Sequence, residues 1–169
     1  MKQSVRIFTV TLLALLMLSA CGFRLRGTGP QPVLPFKTLF LSIAEGSPIA
    51  VPLRRNLNAM SNIEIVTDRK QADAALEVLS EGRDKQVLSL NSQGRVREYT
   101  LLYRLNFRVV DKEGRQLLAP TELVIRRIQS FNESQVLAKE AEEATLYREM
   151  QSDLVQQVLR RISAIKPAQ

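Results

Sequence analysis

From residue 36 onward two hydrophobic rhythms alternate, one of period two and one near 3.6. Leu39, Leu41 and Ile43 alternate with Thr38, Phe40 and Ser42, which predicts a first strand. Ile49, Leu53, Leu57 and Met60 then recur at helical spacing. Pro48 and Pro52 fit the entry to that helix, because a first-turn proline removes only an N–H that has no intrahelical partner. A short helix is therefore expected over about Val51–Ser61. Ile63 and Ile65 predict a short second strand, and Asp68–Asp73 a polar loop. Between Ala74 and Leu90 the even positions Leu76, Val78, Leu88 and Leu90 are apolar. Gly82 lies in the middle of that stretch, where an interior glycine predicts a bulge or bend.

Asn91-Ser92-Gln93-Gly94 is a turn signal, and the cleanest alternation in the chain follows it. Tyr99, Leu101, Tyr103, Leu105, Phe107 and Val109 form one side. Glu98, Thr100, Arg104, Asn106 and Arg108 form the other, with Leu102 as the apolar exception. One buried and one wet face is the signature of a largely antiparallel sheet. Lys112-Glu113-Gly114 makes the next turn, and Leu117–Phe131 the next strand, in which Pro120 suits an edge or a bulge.

The last segment returns to helical spacing. Leu137, Ala141, Ala144, Tyr147, Met150, Leu154, Val158 and Ile162 descend one side of a helix of about thirty residues, a stripe expected to pack on the sheet. Asn132 or Ser134 can cap its start, with Ser134 accepting from first-turn N–H groups. Arg160, Arg161 and Lys166 complement its negative end, and Pro167 stops it. The order β-α-β-β-β-β-α predicts an α+β two-layer sandwich. Its mixed, mostly antiparallel sheet has four to five strands, with both helices on one face.

Composition narrows the chemistry. The chain holds 24 Lys+Arg against 17 Asp+Glu, a net charge of +7, and no histidine. Without histidine there is no Ser-His-Asp relay and no His-ligated metal. The seven glycines are scattered, so no phosphate-cradling loop exists. Nothing in the carboxylate spacing singles out a catalytic pair, so no catalytic residue, metal or cofactor is expected. A basic domain points instead to an anionic partner.

The N-terminus changes the picture most. Lys2 and Arg6 precede a run from Ile7 to Met17 that is apolar apart from Thr9 and Thr11. That run is too short for a bilayer span, which needs ~20 residues, and has the flanks of a secretory signal. It closes on Leu18-Ser19-Ala20-Cys21, which resembles the lipobox of bacterial lipoproteins, with cleavage between Ala20 and Cys21 and acylation of the chain's one cysteine. Two or more acyl chains hold a protein stably on a membrane without a transmembrane helix. Gly22 rather than Asp follows the cysteine, which by the same resemblance directs the protein to the cell outer membrane. Lys2 and Arg6 leave with the signal, so 22 basic residues face 17 acidic ones in the mature chain, a net +5. Export argues against a nucleic-acid partner. Residues 1–20 are thus read as signal, 21–35 as lipidated cysteine and extended tether, and 36–169 as one domain. Gly22–Pro35 could reach roughly 45–50 Å.

Cys21-Gly22-Phe23-Arg24-Leu25-Arg26-Gly27 at the new N-terminus, Arg97-Glu98-Tyr99 after the hairpin turn and Leu137-Ala138-Lys139 at the helix start occur in the element order given above. Together they resemble the LPS-assembly lipoprotein LptE family over essentially the whole chain. The resemblance implies a non-catalytic lipoprotein paired one-to-one with the LptD β-barrel. It would sit largely in the barrel lumen and assist barrel assembly and delivery of lipopolysaccharide to the outer leaflet. It also carries over Lys139 as a candidate lipopolysaccharide contact. The residues themselves add Arg95 and Arg97 beside the hairpin tip and Arg104 and Arg108 on the wet face, since the planar guanidinium suits phosphate oxygens. Arg126 and Arg127 follow on the next strand. The alternative reading is a tethered regulator of a peptidoglycan-synthesis enzyme, which usually needs a longer linker than Gly22–Pro35.

Overall fold

The computed structural model describes residues 34–60 and 63–166. The signal segment, Ala20, Cys21, most of the tether and Pro167 lie outside the described residues. Five strands and two helices follow in the predicted order. These are β1 (Thr38–Ser42), α1 (Ala50–Asn58), β2 (Glu64–Val66), β3 (Ala74–Leu90), β4 (Val96–Asp111), β5 (Gln116–Ser130) and α2 (Val136–Ser163). They form one mixed sheet of order β2-β1-β3-β4-β5, parallel at the β2-β1-β3 end and antiparallel from β3 to β5.

The core lies between the sheet and the helices. The odd positions of β4 from Leu101 to Val109 are fully buried against α2 residues such as Met150, Leu154 and Ile162. α1 closes the other end with Ile49, Leu53 and Leu57, one helical turn apart. The chain joins this core at Leu34 and Phe36, both buried. Asp73 fixes the entry to β1 by accepting the main-chain N–H groups of Lys37 and Thr38, each at 3.0 Å. The Thr38 and Lys37 N–H groups hold its carboxyl below the ordinary range.

Several expectations need correction. β3 runs unbroken past Gly82, which pairs with Arg104, and its irregularities fall instead between Val78 and Ser80 and between Val87 and Leu90. The first bulge explains the misreading. Before it, even residues share the helix-facing side with Phe107 and Val109. After it, the odd residues Glu81, Arg83, Lys85 and Val87 stand beside Leu105, Tyr103, Leu101 and Tyr99. Leu88 and Leu90 are therefore about half exposed instead of buried. The odd positions suit their neighbours chemically: the Arg83 guanidinium lies 4.7 Å from the Tyr103 ring and Lys85 Nζ 4.3 Å from that of Tyr99.

On the face expected to be wet, Thr100 is buried beside Leu102. Their registry partners are Asp84 and the longer side chains Gln86, Arg126 and Ile128, which shield a stretch of sheet no helix covers. The α2 stripe packs only from Tyr147 onward, and Leu137, Ala141 and Ala144 are exposed. Ser134 is not the acceptor. Its N–H and hydroxyl both donate to Asn132 Oδ1, at 3.0 and 2.9 Å, starting a single 3-10 turn that leads into α2. Pro120 does lie at a register shift, between the Phe107–Thr121 and Val109–Leu118 pairs, on the sheet's outer strand. α2 ends at Ser163, before Pro167.

Candidate functional site

The β3–β4 turn is built by one asparagine and one glycine. Asn91 Oδ1 accepts from the N–H groups of Gln93 and Arg95 at 2.9 and 3.0 Å. Gly94 takes φ +76°, a left-handed conformation costly for a residue with a Cβ. The turn aims Arg95 and Arg97 toward the segment that joins β5 to α2. Phe131 secures that segment: its N–H donates to the Arg97 carbonyl at 2.8 Å, and its ring meets Tyr99 edge-on at 5.3 Å. Between them lies an open cavity of about 480 Å³, lined by Asn91, Arg95, Val96, Arg97 and Phe131–Ser134.

Arg95 Nη1 reaches Glu133 Oε2 at 3.0 Å, with both side chains more than half exposed. Such a pair is worth about 0–1 kcal/mol, so an anion with more than one oxygen can displace it. Arg97 is exposed and makes no ion pair among the described residues. Half-exposed Val87, Leu88 and Leu90 stand on β3 at this end of the molecule, and Val136 and Leu137 follow the cavity's own loop. Two guanidinium groups at an end of the molecule that also exposes apolar side chains make an arrangement suited to an amphipathic anion.

The other predicted candidates are more constrained. Lys139 Nζ donates to Glu142 at 2.8 Å and to Ser130 Oγ at 2.9 Å, with its side chain only 15% exposed. Its carbonyl accepts from Gln129 Nε2 at 2.7 Å, which ties the start of α2 to the end of β5. Arg108 is clamped on Glu77, with Nε and Nη2 each at 2.8 Å. Arg104 stands 3.8 Å from Asp84 on the same face. Arg127 pairs with Asp153 of α2, at 2.5 Å. Only Arg95 and Arg97 of the candidates line the cavity. Sequence reasoning missed Phe131 and Glu133 as members of the site. Their one signal in the sequence is proximity to Asn132, whose pattern predicts only a helix cap.

A second polar cluster lies at the end of β1, where a cavity of about 480 Å³ opens between Ala44–Pro48 and β3. Glu81 accepts there from the hydroxyls of Ser47 and Tyr103. Burial, reinforced by Glu81, pushes the Tyr103 hydroxyl up to about 12. Among the described residues no helix is long and apolar enough to cross a membrane.

The model of the family described as "LptE: Lipopolysaccharide-assembly" matches residues 36–162. The chain belongs to the LptE family. It is 31% identical over 167 residues to an LPS-assembly lipoprotein LptE of Pectobacterium atrosepticum, covering 97% of this chain and 89% of that one. Two solved structures share the architecture. An uncharacterized lipoprotein B from Nitrosomonas europaea superposes with a TM-score of 0.72 at 37% identity, over 85% of this chain and 91% of its own. The rare lipoprotein B from Shewanella oneidensis gives 0.66 at 26%, over 75% and 94%. LptE proteins are non-enzymatic and serve lipopolysaccharide assembly. The five-stranded mixed sheet with two helices is the fold of these neighbours.

Proposed function

We propose that this LptE-family chain is cleaved behind Ala20, acylated at Cys21 and held in the outer membrane, where it seats one-to-one in an LptD-type β-barrel and offers its hairpin tip to lipopolysaccharide. The observation that carries this reading is the tip itself. Arg95 and Arg97 line one cavity, weakly compensated by Glu133, at the end of the hairpin where Val87, paired with Tyr99, is half exposed and Val136 and Leu137 follow in the chain. Lipopolysaccharide presents phosphates next to acyl chains, and such a site answers both. Seating in a barrel fits the same architecture, because a lumen is polar and the sheet face away from the helices carries Arg104, Arg108 and Arg126 together with Glu77, Asp84 and Glu122.

The test is retention of lipopolysaccharide by purified protein across ionic strength. Arg95→Glu with Arg97→Glu should weaken retention, most at low salt, where charges are least screened. Equal retention by variant and parent at low ionic strength removes the tip from the site. Isolation from detergent-solubilised outer membrane tests the barrel: a β-barrel at equal stoichiometry supports the reading, and a wall synthase alone contradicts it.

A further inference from the structure

β5 is the outer strand of the sheet, and among the described residues no strand lies beyond it. Its register with β4 is unbroken from Thr121 to Ser130, so ten consecutive residues form a continuous edge clear of the Pro120 irregularity. The phase of that edge is fixed. Phe131 donates its N–H to the Arg97 carbonyl, so odd-numbered residues turn their main chain toward β4. Glu122, Val124, Arg126 and Ile128 therefore point N–H and C=O outward. The outward Arg126 carbonyl accepts from the exposed Arg127 side chain at 3.1 Å, a local contact that an added strand can replace.

The same four side chains lie on the sheet face that no helix covers. Leu123 and Ile125 are buried on the opposite face, while Val124 and Ile128 are 47% and 59% exposed. Arg126 is exposed and has no ion pair among the described residues. Outward main-chain groups in strand register call for a peptide, since an acyl chain or a sugar does not repeat donors and acceptors at that spacing.

We propose that Thr121–Ser130 is a docking edge for one extended segment of a partner protein, added as a sixth strand. Charge complementarity defines the segment. Beside Glu122, Val124, Arg126 and Ile128 it carries, in turn, a basic, an apolar, an acidic and an apolar side chain at alternate positions. This surface is separate from the hairpin-tip cavity and does not depend on the lipopolysaccharide reading.

The experiment uses the full-length lipoprotein in detergent micelles and two synthetic peptides. The first alternates threonine with lysine, valine, glutamate and valine; the second has lysine in place of the glutamate. Amide hydrogen exchange reads the outward N–H groups. With the first peptide, the amides of Val124, Arg126 and Ile128 should slow, and the second should bind up to about fivefold more weakly, the upper end for a partly exposed ion pair. Arg126→Glu should reverse that preference. Val124→Pro removes one outward donor, leaves the β4 ladder intact and should abolish the protection at Arg126. Unchanged exchange at saturating first peptide overturns the proposal, as does an unchanged preference in Arg126→Glu. Protection that instead rises with protein concentration without peptide gives the edge to a second copy and overturns it equally.

Discussion

Glu77 shows how single residues hold this sheet together. Its carboxylate takes Arg108 on one side and Arg69 on the other, each at 2.8 Å, and is itself only 17% exposed. The hydrogen bond from Arg108, aided by the charges of both arginines, holds its carboxyl below the ordinary range against the opposing effect of burial. A carboxyl whose folded pKa is depressed contributes stability that is complete above its unfolded value. That contribution is lost as pH falls through the folded value. Glu77→Gln should therefore lower stability by about 0.5–1.5 kcal/mol at neutral pH, because the arginines are partly exposed. It should also flatten the loss of stability below about pH 4.5. Urea titrations at neutral and acid pH measure both effects, and an unaltered acid slope would contradict the assignment. Leu154 makes the apolar counterpart. It is fully buried between α2 and the sheet, so Leu154→Ala should cost about 2–5 kcal/mol in the same titrations.

At the scale of elements, the hairpin is the part whose geometry the proposed function needs. Gly94 holds the turn at positive φ with open space where a Cβ would stand, so Gly94→Ala strains the backbone without a clash. The expected cost is about 1–2 kcal/mol, with fraying of the Arg95–Arg97 segment seen as faster amide exchange there. Exchange rates equal to the parent's would mean that the turn does not depend on the glycine. The strands were legible because the odd positions of β4 are apolar without a break from Tyr99 to Val109, and α1 because Ile49, Leu53 and Leu57 repeat at helical spacing. The β3 pattern misled because bulges invert side-chain parity and leave no mark in composition, so Gly82 drew attention that belonged to Leu79 and Leu88. The start of α2 misled for another reason. Leu137 and Ala141 fit the stripe but extend past the core, where periodicity says nothing about what lies opposite. Arg95 and Arg97 were readable from their place beside the turn. Glu133 and Phe131 were not, because only the fold brings residues some 35 positions apart to one cavity.

At the scale of the whole molecule, the layers divide the work. Both helices cover one sheet face and complete the core, which leaves the other face, the outer edge of β5 and the hairpin tip for contacts. The proposed lipid anchor, Cys21, lies outside the described residues. Cys21→Ser should leave the circular dichroism spectrum and melting of the domain as in the parent, while the membrane-pelleted fraction falls sharply. An unchanged membrane fraction would contradict anchoring through the cysteine. The central claim is that the tip meets lipopolysaccharide while the domain sits in a barrel, and photo-crosslinking in living cells addresses it directly. A photoreactive residue at Ser92 or Gln93 should yield adducts with both lipopolysaccharide and a β-barrel protein, and Arg95→Glu with Arg97→Glu should deplete the lipid adduct. A tip that captures neither, or captures only a periplasmic wall enzyme, would contradict it.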